Sequence, residues 1–259
     1  MNTVLPISVF IITLNEADRV ARAINSVNTW VDEVIVIDSG SSDNTVEVAS
    51  QSGAKVFHHD WNGYGLQKRF GEDQCKNRWL LNIDADEEVT DELAKEIQGL
   101  FAQGEPVAAG YILQARDLLP GEKFLAPLAH TNYVLRLYNR EKGRFSDSPV
   151  HDSVILHTGE ATLLSAPLLH RSFRSLAHAI DKMNYYSGMQ AENLQKKGLH
   201  YPLLRLTIEF PFAFLKDYIL RGYVLRGRHG FVNSVLYGFT RFIRIAKYLE
   251  LQDRQRDWD

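Results

Sequence analysis

Four short runs of apolar, largely β-branched residues constrain this chain more than any other feature. They are Ile7 to Thr13, Val34 to Ile37, Ala54 to Phe57 and Trp79 to Ile83. Each is too short for a helix and reads as a strand, and the first, second and fourth are apolar enough to be buried on both faces. Helical spacing fills the gaps. Val20, Ala23, Ile24 and Val27 recur along residues 15–27, and Val46, Ala49 and Ser50 follow a turn in which Ser42 or Asp43 can act as N-cap, with Gly53 as the stop. Residues 64–75 read as a third helix, and Thr90 caps a fourth whose first turn holds Asp91 and Glu92. Strands alternating with helices predict an α/β fold with a largely parallel sheet, whose ligands bind beyond the carboxyl ends of the strands. Three of those ends are polar and acidic: Thr13-Leu-Asn-Glu16, Asp38-Ser-Gly40 and Asp84-Ala-Asp86.

The 259 residues suffice for one large domain, or a medium domain with an appendage. Cys75 is the sole cysteine, which excludes a disulfide framework and a cysteine-based metal site. The net charge of −3 conceals an asymmetry: residues 1–170 carry 14 Lys/Arg against 24 Asp/Glu, and residues 171–259 carry 15 against 8. The apolar run at residues 4–14 has no preceding positive charge and no small-residue cleavage site, so it reads as a strand and not as a signal peptide. No uninterrupted apolar run approaches the length of a spanning helix.

The character changes near Arg171. Residues 176–197 look helical and polar. Residues 199–249 then mix apolar blocks (201–206, 210–215, 218–220 and 231–239) with Arg205, Lys216, Arg221, Arg226, Arg228, Arg241, Arg244 and Lys247. That mixture suits helices lying in a membrane interface against anionic lipid, or a helical appendage packed on the catalytic domain or a second subunit.

Asp84 and Asp86 are the central chemical pair. On an extended segment positions i and i+2 project to one side, so both carboxylates can face one point, where they repel unless a cation lies near. Oxygen ligands favour Mg²⁺ or Mn²⁺ bridged to substrate phosphates. Asp38 either caps its turn or accepts a hydrogen bond from a base or ribose edge. Lys68 and Arg69 either meet phosphate oxygens or lie as solvated surface charges.

The set Thr13-Leu-Asn-Glu16, Asp38-Ser-Gly-Ser-Ser-Asp-Asn-Thr45, Gln67-Lys-Arg-Phe-Gly71 and Asn82-Ile-Asp-Ala-Asp86 resembles glycosyltransferase family 2, with its GT-A fold. Arg136-Leu-Tyr-Asn139, residues 144–152, Leu168-Leu-His-Arg171 and the basic aromatic tail resemble the branch that builds bacterial lipopolysaccharide core, near the core β-1,4-glucosyltransferases. The resemblance implies a GT-A catalytic domain over residues 1–172 and a helical, membrane-associating appendage over 173–259. It implies that Thr13, Leu14, Asn15 and Glu16 line the nucleotide pocket, that Asp38 reads the uracil ring, and that Lys68 approaches the nucleotide. Asp84 and Ala85 would face the ribose and donor sugar, and Asp86 would bind Mg²⁺ or Mn²⁺ through the diphosphate. His170 matches a position that completes the metal shell, although a hydrogen-bonded core histidine is the other reading. Members of the family invert the anomeric centre, so a carboxylate must deprotonate the acceptor. This chain lacks the Glu-Asp pair of many relatives, and its Val150-His-Asp152 matches a Val-His-Glu of this branch, which favours Asp152 over Asp147.

The implied reaction is transfer of a hexose, glucose from UDP-glucose, to an inner-core heptose; transfer from another UDP-sugar to a glycolipid acceptor is the other reading. The transfer would take place on the cytoplasmic face of the bacterial inner membrane, with the enzyme bound peripherally and no nucleic-acid partner. A dehydrogenase would need Gly-x-Gly-x-x-Gly after the first strand, and a nucleotidyltransferase a glycine-rich basic loop; Thr13-Leu-Asn-Glu-Ala-Asp18 supplies neither. A catalytically inactive membrane-bound adaptor would keep the fold but has no need of Asp84, Asp86 and Asp152.

Overall fold

A computed structural model of the chain describes residues 4–122, 125–126, 130–148, 152–197 and 203–256. Val150 and His151 of the Val-His-Asp triplet, and residues 201–202 of the first apolar block of the tail, lie outside the described residues. The chain divides into two compact units, Met1–Asp117 with Thr131–His170, and Leu118–His130 with Arg171–Asp259.

The first unit is built on the four expected strands. β1 (Leu5–Thr13), β2 (Val31–Asp38), β3 (Lys55–His58) and β4 (Trp79–Asn82) run parallel in the order β3-β2-β1-β4. The sheet then becomes mixed. β7 (Thr131–Asn139) is antiparallel to β4 and to β6 (Gly110–Asp117). β10 (Ala161–His170) is parallel to β6, and the short edge strand β5 (Glu87–Val89) is antiparallel to β10. A separate hairpin pairs β8 (Gly143–Phe145) with β9 (Val154–Leu156). The parallel character read from the sequence holds for the first four strands, where helical crossovers impose it, and returns in the β6–β10 pair.

The alternation along β1 explains its continuous apolar run. Ile7, Val9 and Ile11 enter one core layer with Val20, Ile24, Trp79, Leu81, Leu93 and Ile97, and Phe10 enters the opposite layer with Ile35, Ile37, Leu80, Tyr138 and Phe145. The first helix, α1 (Val20–Asn25), is shorter than the expected 15–27. Asn15 sits at φ 56°, in the left-handed region, so no right-handed helix can include it. In α2 (Thr45–Gln51) the position before the helix is Asn44, and Asp43 accepts the Thr45 amide at 3.0 Å, one residue ahead of a standard cap. Gly53, at φ 91°, ends that helix as expected. Thr90 Oγ1 accepts the Leu93 amide at 3.1 Å and caps α4 (Asp91–Phe101).

The helix over Tyr64–Gln74, α3, buries a polar face: Gln67, Lys68 and Glu72 are all inaccessible, with Gly65 and Gly71 beside them. A Cβ on Gly71 would lie 2.8 Å from Phe10 Cδ2, so glycine there lets the helix axis approach the sheet. Glu72 accepts the Tyr138 hydroxyl at 2.5 Å and the Phe145 amide at 3.0 Å, fastening α3 to β7 and β8. Cys75, at the helix end, is buried, and burial pushes its thiol up to about 12, leaving it a small inert hydrophobe.

The second unit is helical. α5 (Leu176–Lys196) and α6 (Leu203–Leu215) both pack on α7 (Gly227–Arg256). A π-helical turn, Lys216–Leu220, extends α6, and Gly222 at φ 74° and Gly227 at φ 53° reverse the chain around a 3₁₀ turn at Tyr223–Arg226. Among the described residues no helix is long and apolar enough to cross a membrane.

Candidate functional site

The carboxyl ends of β1 and β2 meet in register, with Thr13 opposite Asp38. Asp38 is buried, and its two oxygens accept four hydrogen bonds: the Gly40 and Ser41 amides at 2.9 and 2.8 Å, the Ser41 hydroxyl at 2.5 Å and the Thr13 hydroxyl at 3.2 Å. A carboxylate has about four acceptor sites, so all are taken. The turn-capping reading of Asp38 describes it, and direct reading of a uracil ring would require one of these donors to leave. Asn15 joins the same turn. Its Oδ1 accepts the Ser42 amide at 2.8 Å, and its own amide donates to Ser41 Oγ at 2.8 Å. Glu16 forms a charged pair with Arg19, and its amide donates to Thr45 Oγ1 at 2.7 Å. Leu14 is exposed on this rim.

Beyond β4 the chain does not stay extended. Ala85 and Asp86 form a turn closed by the Glu87 amide on the Asp84 carbonyl at 2.9 Å. The expected i, i+2 alignment of Asp84 and Asp86 on a strand is thereby corrected: the two carboxylates engage different partners. Ala85 is buried between them.

Asp84 is held by two cations. Arg136 Nη2 lies 2.5 Å from Asp84 Oδ2 and 2.9 Å from Glu87 Oε1, while Arg136 Nη1 donates to Asn82 Oδ1 at 2.6 Å. Lys68 Nζ lies 3.0 Å from Asp84 Oδ1 and 2.5 Å from Asp152 Oδ2. Lys68 is only 1% exposed, so it is no solvated surface charge; it is the bridge between two carboxylates. Burial opposes ionisation of Asp84, but Arg136 and Lys68 outweigh it and hold the carboxyl far below the usual range. Glu87 goes the other way: burial raises it despite Arg136.

Asp86 belongs to a second group. His170 and Asp117 are register partners on β10 and β6, and Glu87 is the partner of His170 on β5. The ring is therefore pinned, with Nδ1 2.8 Å from Asp117 Oδ1 and Nε2 3.7 Å from Asp86 Oδ2. Burial would lower the His170 pKa, but Asp117 and Asp86 prevail and raise it to about 10. Burial opposes ionisation of Asp86 too, and the His170 contact overrides it, with help from Arg19 Nη1 at 3.5 Å.

The structure thus gathers Lys68, Asp84 and Asp152 in one cluster and Asp86 with His170 in a second, and it places Thr13, Asn15, Glu16 and Asp38 in the adjoining turn. Asp147 stands apart, its side chain 77% exposed and 3.4 Å from Arg69. Sequence reading missed four members: Arg19, Glu87, Asp117 and the guanidinium of Arg136. Two carried a signal. Arg136 interrupts the apolar Val134-Leu-Arg-Leu-Tyr138, and Asp117 ends its strand as Asp38 ends β2. Arg19 and Glu87 are recruited only by tertiary packing.

The family model described as Glycosyl transferase family 2 matches residues 8–155, which span every residue of these clusters except His170. The chain belongs to that family. It is similar to an uncharacterized glycosyltransferase of Rickettsia typhi, at 41% identity over 97% of this chain and 89% of the relative. It is 31% identical to the lipopolysaccharide core biosynthesis glycosyltransferase LpsC of Rhizobium meliloti, over 94% of this chain and 92% of that protein. Among solved structures, S. aureus TarS 1-349 in complex with UDP-GlcNAc superposes with a TM-score of 0.51 at 14% identity, covering 90% of each chain. That likeness shows the fold, the GT-A architecture that the sequence motifs imply.

Proposed function

We propose that this family 2 glycosyltransferase transfers a hexose, glucose from UDP-glucose, with inversion, to a heptose of the lipid-linked lipopolysaccharide core. It does so as a peripheral protein on the cytoplasmic face of the inner membrane. The likeness to a lipopolysaccharide core glycosyltransferase over nearly the whole chain supports the acceptor class. The observation that carries the reading is the Asp84–Lys68–Asp152 bridge, which ties a carboxylate at the end of β4 to the carboxylate matching the base position.

In this reading Asp152 accepts the proton of the acceptor hydroxyl while that oxygen attacks the anomeric carbon and the bond to the diphosphate breaks. Lys68 fixes the Asp152 carboxylate in place and Arg136 fixes that of Asp84, so neither has to be ordered during the reaction. The turn clamped by Asp38, Asn15 and Glu16 frames the nucleotide. A divalent cation would take the second cluster by displacing the Nε2 proton that Asp86 and Asp117 otherwise hold on His170. Asp86 offers an oxygen donor, His170 faces it through Nε2, and Asp117 supports the ring through Nδ1, the usual outer-shell arrangement for a metal-binding imidazole. No group of three or more His, Cys, Asp or Glu among the described residues could hold the ion alone, so water and diphosphate oxygens would supply the remaining positions. Bound there, Mg²⁺ or Mn²⁺ would neutralise charge on the departing diphosphate.

A thermal-shift screen of UDP-glucose, UDP-galactose, UDP-N-acetylglucosamine and GDP-mannose, each with and without Mn²⁺, tests this. One UDP-sugar with Mn²⁺ at about a hundred times its Kd is expected to raise Tm by roughly 5–10 °C. Silence with all four would make the acidic clusters structural and favour the inactive adaptor.

A further inference from the structure

The helix α6 and its π-helical extension are amphipathic in the inverted sense. Their carboxylates point inward. Glu209 is buried against Arg205, Arg241 and Arg244, with N–O distances of 2.9–3.3 Å. Asp217 is buried against Arg221 at 3.1 Å, and it accepts from Asn233 and Ser234 of α7. The exposed positions recur in pairs every four residues, as 203/204, 207/208, 211/212, 215/216 and 219/220. Apart from Thr207 and Lys216 they are all apolar. Leu204 is 68% exposed, Phe212 67% and Leu220 81%. Exposed Val224 and Leu225 continue the apolar surface into the next turn.

Single exposed leucines need no explanation, whereas a contiguous apolar stripe on a water-soluble face marks an interaction surface. We infer that the outer face of residues 203–225 is an interfacial lipid-binding element that lies in the plane of an anionic bilayer, its leucines and Phe212 in the acyl boundary. This deepens the peripheral-membrane placement proposed above and rests on it. Spanning is excluded by the opposite face, where Arg205, Glu209 and Asp217 would be carried into hydrocarbon. At 1.5 Å per residue the stripe from Leu203 to Leu220 is about 27 Å long, enough to lie as a flat insertion along the surface.

Charge selects the lipid over a second copy of the chain. Between residues 203 and 228 the only carboxylates are Glu209 and Asp217, both buried, while Lys216, Arg221 and Arg228 are exposed and Arg205 is partly so. The rim of the stripe is thus cationic. An isologous dimer would set this rim against itself, whereas an anionic leaflet complements it.

Sedimentation of the full chain with phosphatidylcholine vesicles, with and without phosphatidylglycerol, tests the inference. The wild type is expected to pellet with the anionic vesicles and to release at high salt only in part, because the apolar share is not screened. Leu204→Gln combined with Phe212→Gln is expected to lower partitioning at least about tenfold, with an unchanged circular dichroism spectrum, since both residues face outward. In a separate Phe212→Trp protein, the emission should shift to the blue on anionic vesicles. Wild-type binding with no loss in the double variant and no shift in Phe212→Trp would overturn the assignment of this face while leaving peripheral binding intact. Failure of the wild type to bind any vesicle would overturn both. A wild type that is dimeric by light scattering, with a monomeric double variant, would replace the bilayer with a second copy and overturn the inference.

Discussion

At the scale of the residue, the site is a set of buried charges that neutralise one another. Arg136 is the keystone, because removing it takes the cation from buried Glu87 and leaves Asp84 with Lys68 alone. Breaking one side of such a pair leaves an uncompensated buried charge, so Arg136→Met is expected to cost about 3–5 kcal/mol in urea denaturation. A loss below about 1 kcal/mol would show that water reaches the cluster and that Arg136 does not organise it. The residues picked out by short contiguous patterns, Asp84, Asp86, Asp152 and His170, are brought by the fold into the two clusters. Their counter-charges were not legible in the sequence. Arg19 meets Asp86 across 67 positions of chain and Arg136 meets Asp84 across 52, pairings fixed by sheet register and turn geometry, which periodicity does not encode. Lys68 was found, but as a phosphate-facing or solvated charge, because a helix with little apolar patterning gives no sign of which face it buries.

At the scale of the element, α3 decides whether Asp152, the proposed base, is in place. It presents Lys68 to Asp152, and its first turn touches the segment that leads there: the Gly65 amide donates to the Ser148 carbonyl at 3.1 Å. A Cβ on Gly65 would stand 2.4 Å from the Ser146 carbonyl oxygen and 2.5 Å from that of Ser148, and backbone cannot yield as a flexible side chain can. Gly65→Ala is therefore expected to destabilise the fold by about 1–3 kcal/mol and to lower the transfer rate more than it weakens donor binding. Unchanged kinetics would separate the segment from catalysis. The first four strands and four helices exist where the sequence places them because each carries its own period, cap or stop, although the first helix is only Val20–Asn25 of the expected 15–27 and Asn44 stands at the N-cap of the second. The later strands carry no such signal, since β7 joins the sheet antiparallel to both neighbours and β10 pairs parallel with β6, with no helical crossover to announce either.

At the scale of the whole molecule, the division of charge has a physical counterpart. The acidic half builds the clusters at the strand ends, and the basic half exposes an apolar stripe rimmed by cations while burying Glu209 and Asp217 behind it. The sequence showed the mixture of arginine and aromatic residues. It could not show that α6 is turned inside out, because a hydrophobic period locates a stripe without saying whether it faces a core or the outside. The central claim is that this architecture serves sugar transfer with Asp152 as base. The measurement that tests it most directly pairs donor affinity with transfer rate to a lipopolysaccharide core acceptor, in wild type and Asp152→Asn. With Asp152 as base, the donor Kd is expected to stay within about twofold of wild type and transfer to slow by about 10²–10⁴, the range expected for loss of a general base. Transfer within a factor of a few of wild type would contradict it and move the base to another carboxylate.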